Sequence, residues 1–284
     1  MRLLMTSLFV FASLSACLSS PEPTCNGEEC GGATPSTTPM ITRDPGVPFP
    51  PIPANESLRS LHFEGCTGLS ASIDPPAPGV LQYVPSAFRP ISEYPGTAKI
   101  TIQALQCDRV ALPTKVLEHV SFVHISPNTN AANSSWEPTP GASYYLFDFL
   151  TDATTLAQEL DDLGIPARTA TFSVESTPTA LETLTAWKIQ TSDLSVNFSY
   201  FVDGKAGNNN SATPYYWTGK DSFLRASLHS TYVFDTRFQD GLIQIDGSDV
   251  AAKAAQLQTQ RWAGSPLRSY DLALTVDGQV FHGG

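Results

Sequence analysis

Apolar residues recur at every second position through most of this chain, the spacing of a strand with one covered face. Ile100, Ile102 and Ala104 alternate with Lys99, Thr101 and Gln103, and Ala170, Phe172 and Val174 alternate with Thr169, Thr171 and Ser173. Leu194, Val196, Phe198, Tyr200 and Val202 oppose Ser195, Asn197 and Ser199. Leu224, Ala226, Leu228, Tyr232 and Phe234 form another stripe, and Tyr270, Leu272, Leu274 and Val276 a last one. Each segment predicts a strand with one apolar and one polar face, so one side of the sheet should be wet. Tyr144–Leu150 reads as a further strand.

Helical spacing is rare. Asp152–Leu163 puts Leu156, Leu160 and Leu163 on one side, and Gly164 and Pro166 stop it. Ser248 or Asp249 can cap a second helix, expected to run to about Trp262 and end at Gly264. A short turn of helix is expected between Pro76 and Tyr83. Many strands with two peripheral helices predict a mainly β fold: an antiparallel, closed or nearly closed barrel, with a β-sandwich as the alternative.

The first 56 residues break this pattern. Met1-Arg2 precedes an uncharged stretch, Leu3–Ala16, as a secretory signal requires. Leu14-Ser15-Ala16-Cys17 then matches a bacterial lipoprotein processing site, with Cys17 as the acylated first residue. Leu14 fits ordinary signal cleavage poorly, because that site favours a small residue there. Two or more acyl chains on Cys17 would hold the protein on a bilayer, where one chain binds only marginally. Leu18 behind the cysteine favours the outer membrane. Residues 17–56 read as a tether, since nine prolines lie between Pro21 and Pro53 and such a segment cannot bury enough apolar surface to order itself. Residues 57–284 then form one β-rich domain. Four Asn-x-Ser sequons, at Asn55, Asn133, Asn197 and Asn209, keep a secreted eukaryotic glycoprotein as the alternative address.

Composition narrows the function classes. The net charge of −11 without a basic run disfavours nucleic acid as a partner. Setting Cys17 aside leaves Cys25, Cys30, Cys66 and Cys107, an even set in an oxidising compartment. Of three pairings, the spacing favours Cys25–Cys30 with Cys66–Cys107. No metal site and no cofactor motif emerges, and His119 and His124 fall on opposite faces of a strand.

One segment resembles a known family. Gly79-Val80-Leu81-Gln82-Tyr83-Val84-Pro85-Ser86-Ala87-Phe88, followed by Gly96-Thr97-Ala98-Lys99-Ile100-Thr101-Ile102, is similar to the opening of acetoacetate decarboxylase-like proteins. There a short helix runs into a Leu/Val-Pro-x-x-Phe step and a glycine-led strand. The resemblance implies a barrel enclosing a pocket for a small, partly apolar molecule. The decarboxylase chemistry relies on a Schiff-base lysine whose pKa an adjacent cation lowers. This sequence has no Lys-Lys pair; Lys99, Lys115, Lys188, Lys205, Lys220 and Lys253 are all isolated. The resemblance therefore carries the fold and not the catalytic signature.

The remaining candidates are few. Asp148 lies on an apolar strand face, as a pocket acid or base or as a structural carboxylate bonded to backbone or arginine. Arg225, Ser227 and His229 share a strand face; if it faced a lumen, Arg225 and His229 would bind an acidic group, and otherwise it is solvated exterior. Lys188 reads as solvated. Tyr215, Tyr216 and Trp217 end a long loop that either covers a pocket or packs on the sheet. The expected function is a membrane-anchored exported lipoprotein whose barrel binds a small, partly apolar ligand. An enzyme using the same pocket, or an adhesion or assembly module, is the alternative.

Overall fold

A computed structural model describes residues 59–85, 88–92, 94–131, 143–202, 205–212, 215–218, 222–235, 237–256 and 259–282, omitting some side chains within them. The signal segment, the tether, Cys17, Cys25, Cys30, Asn55 and Asn133 lie outside the described residues.

The architecture is mainly β, as the alternation predicts. Among the described residues fifteen strands form one mixed sheet: β1 (Arg59–Ile73), β2 (Phe88–Pro90), β3 (Ile100–Ala111), β4 (Val116–Ala131), β5 (Ser143–Tyr145), β6 (Asp148–Thr151), β7 (Ala167–Thr169), β8 (Thr171–Pro178), β9 (Thr183–Gln190), β10 (Leu194–Val202), β11 (Ala206–Ala212), β12 (Tyr215–Thr218), β13 (Ser222–Asp235), β14 (Gln239–Gly247) and β15 (Thr259–His282). The helices are α1 (Ala77–Leu81), α2 (Thr154–Asp162) and α3 (Val250–Ala254). The main path runs from β11 to β8, and those two ends are not bonded to each other. An additional β13–β15 ladder curls half of the sheet on itself, so that β13, β12, β5, β4, β3, β1 and β15 follow one another around a barrel. Strands β14, β10, β9 and β8 continue from β15 as a flanking layer.

Two apolar cores result. Inside the barrel, Leu61, Phe63, Leu105, Phe122, Leu228, Leu272 and Leu274 pack together, with Leu156 and Leu160 of α2 in the same cluster. Outside it, Leu69, Ala71, Ile73, Ile100, Ile102, Val123 and Ile125 pack with Trp187, Val196, Phe198 and Ile245 of the flanking layer and with the alanines of α3. Strand β1 serves both cores because of a register shift around Cys66. One extra residue changes which side chains point inward: Leu61 and Phe63 face the barrel, whereas Leu69, Ala71 and Ile73 face the second layer. Gly68 is required there, since a Cβ would lie 2.0 Å from the Ala104 carbonyl oxygen. The Cys66–Cys107 disulfide joins β1 to β3 beside the shift. Its sequence separation of 41 residues corresponds to roughly 3–4 kcal/mol of unfolded-chain entropy.

Several expectations need correction. The polar faces of β3 and β4 are not a solvated exterior, because they point into the barrel beside Leu105 and Phe122. The helix expected to reach Trp262 stops at Ala254; Asp249 caps it by accepting the Ala251 N–H, and Trp262 belongs to β15. Tyr215, Tyr216 and Trp217 form strand β12, paired to β13 and β5, instead of ending a loop; their side chains lie outside the described residues. Tyr144–Leu150 is split, since the chain leaves β5 at Tyr145 and starts β6 at Asp148.

Candidate functional site: a polar cavity at one end of the barrel

Period-two alternation fixes which residues share the barrel interior. Along β3 the inward positions are Cys107, Leu105, Gln103 and Thr101, and along β4 they are Phe122, His124, Ser126 and Asn128. The interior thus changes from hydrocarbon to hydrogen-bonding groups along the barrel axis. At the polar end a cavity of about 420 Å³ opens, lined on one side by Ser70, Ser72, Lys99, Thr101, Gln103, Asn128 and Tyr144. Phe234, Phe238 and Leu267 contribute apolar surface from β13, the β13–β14 link and β15, with Tyr232, Asn210 and Ser265 beside them. That volume is usual for a small-molecule site.

The wall is tied together by side-chain hydrogen bonds. Gln103 Oε1 lies 2.7 Å from His124 Nε2 and accepts a longer contact from the Tyr270 hydroxyl at 3.4 Å. The Gln103 amide nitrogen donates to Ser70 Oγ at 3.4 Å. Thr101 Oγ1 donates to Asn128 Oδ1 at 2.6 Å. Both amide oxygens are therefore engaged within the wall, and each amide nitrogen, with two N–H groups, retains at least one donor beyond these bonds. Lys99 adds an ammonium and is the one charged side chain among the described lining residues. The wall consequently favours acceptor atoms.

Burial sets the protonation of this region. His124, 2 % exposed, is neutral, its pKa lowered to about 3 because a charged imidazolium would have to be desolvated. Burial also raises the Tyr144 phenol, against the Thr101 hydrogen bond and the Lys99 charge that lower it. Tyr270 is pushed up to about 12 by burial, so both phenols stay protonated.

The candidates singled out from sequence lie elsewhere. Asp148 pairs in register with Ile125, and its strand neighbour Leu150 belongs to the outer core, so it stands on the far side of the sheet from the cavity. There Arg168 Nε donates to both of its oxygens at 3.1 and 3.2 Å, while Arg168 Nη1 and Nη2 reach Asp193 and Asp249 at 2.5 and 2.8 Å. Burial raises the Asp148 carboxyl to about 6, partly offset by Arg168. This cluster joins β6, β7, the β9–β10 turn and the cap of α3, and it has the form of a structural carboxylate site. His229 is exposed on the outer side of β13, whose neighbours Leu228 and Ser230 are buried; the side chain of Arg225 lies outside the described residues. Lys188 is exposed on β9. His119 is exposed while His124 is buried, and no group of three or more His, Cys, Asp or Glu side chains among the described residues could hold a metal ion. Sequence reasoning missed Gln103, His124, Ser126 and Asn128 as a group. The available signal was that two strands sharing a ladder, β3 and β4, both carry polar residues at paired positions.

No family model matches the chain, and no curated protein matches it. Solved structures do. A structure from structural studies of acetoacetate decarboxylase is similar over 88 % of this chain and 94 % of its own, with TM-score 0.50 and 11 % identity. Acetoacetate decarboxylase from Legionella pneumophila is similar over 83 % of this chain and 92 % of its own, with TM-score 0.50 and 7 % identity. The fold is acetoacetate decarboxylase-like. At these identities the similarity describes the backbone.

Proposed function

We propose that this protein is an exported, lipid-anchored binding protein that holds a small, partly apolar ligand in the barrel cavity, without lysine Schiff-base decarboxylation. The observation that carries the reading is the composition of the cavity wall: amides and one ammonium on one side, and Phe234, Phe238 and Leu267 interspersed with Tyr232, Asn210 and Ser265 on the rest. A Schiff-base lysine is activated by desolvation or by a neighbouring cation. Lys99 is half-buried and has no lysine adjacent in sequence, and the described lining residues supply no second cation. The anchor rests on the Leu14-Ser15-Ala16-Cys17 tetrad.

Native mass spectrometry of the purified protein, followed by a screen of small oxygen-bearing fragments against wild type and Gln103→Leu, tests the binding reading. Fragments that bind wild type and are lost in the folded variant are expected; a cavity that takes none of them removes the proposal. Borohydride trapping with a β-keto acid tests the enzymatic alternative. A covalent adduct on Lys99 with release of carbon dioxide would replace a binding protein with a decarboxylase. Mass spectrometry of the mature amino terminus checks the anchor, and an unmodified start anywhere but Cys17 overturns it.

A further inference from the structure

The cavity is two-sided in a way that a small polar ligand would not use. Its polar side is continuous around the barrel from β5 through β4 and β3 to β1, carrying Tyr144, Asn128, Lys99, Gln103 and Ser70. Beyond β1, Leu267 on β15, Phe234 on β13 and Phe238 add apolar surface among Ser265, Tyr232 and Asn210. Phe238 is the unusual member, because it lines the cavity and yet leaves 70 % of its surface exposed. Single exposed apolar side chains are ordinary on a protein surface; Phe238 is distinguished from Leu181 and Leu242 by bordering the cavity.

The backbone around that ring is fixed on both sides. Asp235, fully buried, accepts the Arg237 N–H at 3.0 Å. The Arg237 guanidinium pairs with Glu182 of the β8–β9 turn and lies 5.6 Å from the centre of the Phe201 ring. Gln239 accepts the Phe201 N–H at 2.9 Å, and its amide nitrogen donates to the Phe201 carbonyl. Residues 235, 237 and 239 are thus all engaged, and Phe238 is held out at the rim between them. A rim residue placed by its neighbours is preorganised, so covering it costs little ordering entropy.

The geometry points to an amphiphile as the occupant: a molecule whose acceptor-rich head meets Lys99, Gln103 and Asn128 and whose apolar tail crosses Phe234 and lies on Phe238. This rests on the ligand-binding reading above and adds the ligand's class, its orientation, and Phe238 as the residue that selects for tail length.

Straight-chain alkanoates from two to ten carbons, titrated calorimetrically into the full chain carrying Cys17→Ser, test this directly. Affinity is expected to rise roughly fourfold per methylene once the tail reaches the rim. Phe238→Ala should flatten that rise while leaving the shortest alkanoates unchanged, and Lys99→Met should weaken every length by a similar factor. Length-independent binding by wild type would overturn the amphiphile and leave the broader ligand reading standing. A Phe238→Ala variant with an undiminished slope would overturn the role of the rim. Failure of all alkanoates with a folded protein would overturn the inference, and the fragment screen decides separately whether the cavity binds anything.

Discussion

Two buried polar clusters sit on opposite sides of the same strands and behave as opposites. Beyond the barrel, Arg168 collects Asp148, Asp193 and Asp249, so the groups satisfy one another and Asp148 is left 3 % exposed. Inside the barrel, neutral groups pair, His124 Nε2 with Gln103 Oε1 and the Thr101 hydroxyl donating to Asn128 Oδ1, and Thr101, Gln103 and Asn128 line a cavity of about 420 Å³. The first cluster is closed by charge pairing and joins four segments of the fold. The second is built of neutral groups and borders open space. Burial of a titratable group is therefore a weaker sign of function than burial beside an opening.

The pH dependence of stability should separate the two most clearly. His124 has a folded value of about 3 against its ordinary 6.5, so the unfolded chain binds the proton more tightly. Its stabilising contribution is present above pH 6.5 and is lost as pH falls toward 3, a span worth on the order of 4 kcal/mol. Asp148 has the reverse sign: its folded value is raised to about 6, so its share of stability is greatest at low pH and declines as pH rises from about 4 to 6. Urea denaturation across pH 3–7 should show a net acid loss. His124→Gln should shrink that loss and Asp148→Asn should enlarge it; equal profiles for the two variants would erase the distinction.

Removing the cation of the closed cluster should come next in size. Arg168→Met leaves Asp148 buried without its partner, a change that costs about 3 kcal/mol when the arginine is partly exposed. Denaturant midpoints at pH 7 measure it, and the loss should shrink as pH falls toward 6, because Asp148 without the arginine takes up its proton at a higher pH than in wild type. Lys99→Met is the counterpart on the cavity side. It should change stability by less than about 1 kcal/mol while removing binding of acceptor-bearing fragments. A large stability loss there, with binding kept, would mean that the cavity wall is structural as well.

Much of the fold was legible because period two is a local property. Strand β10 runs over Leu194–Val202 as its alternation implies, and α2 occupies Thr154–Asp162 inside the expected span. Cys66 and Cys107 pair as their spacing favoured. The site was less legible. Lys99, Thr101 and Gln103 were visible as a polar stripe, but alternation says only that two faces differ and not which face is enclosed. Asp148 drew attention because it is a carboxylate among apolar neighbours, and its partner Arg168 is 20 residues away in sequence.

The amino-acid sequence by itself determined the strands, the main helix and the Lys-Lys-free character of the chain, because each depends on neighbours within a few residues. Tertiary structure decided which polar stripe would line a cavity. The β13–β15 ladder curls the sheet so that Gln103 and His124 face inward, and the shift at Cys66 turns Ser70 and Ser72 toward the same space. Sheet closure and bulge placement are set by pairings between residues far apart in the chain, such as Leu61 with Leu274 and Leu228 with Leu274, and a stretch of alternating residues carries no record of them.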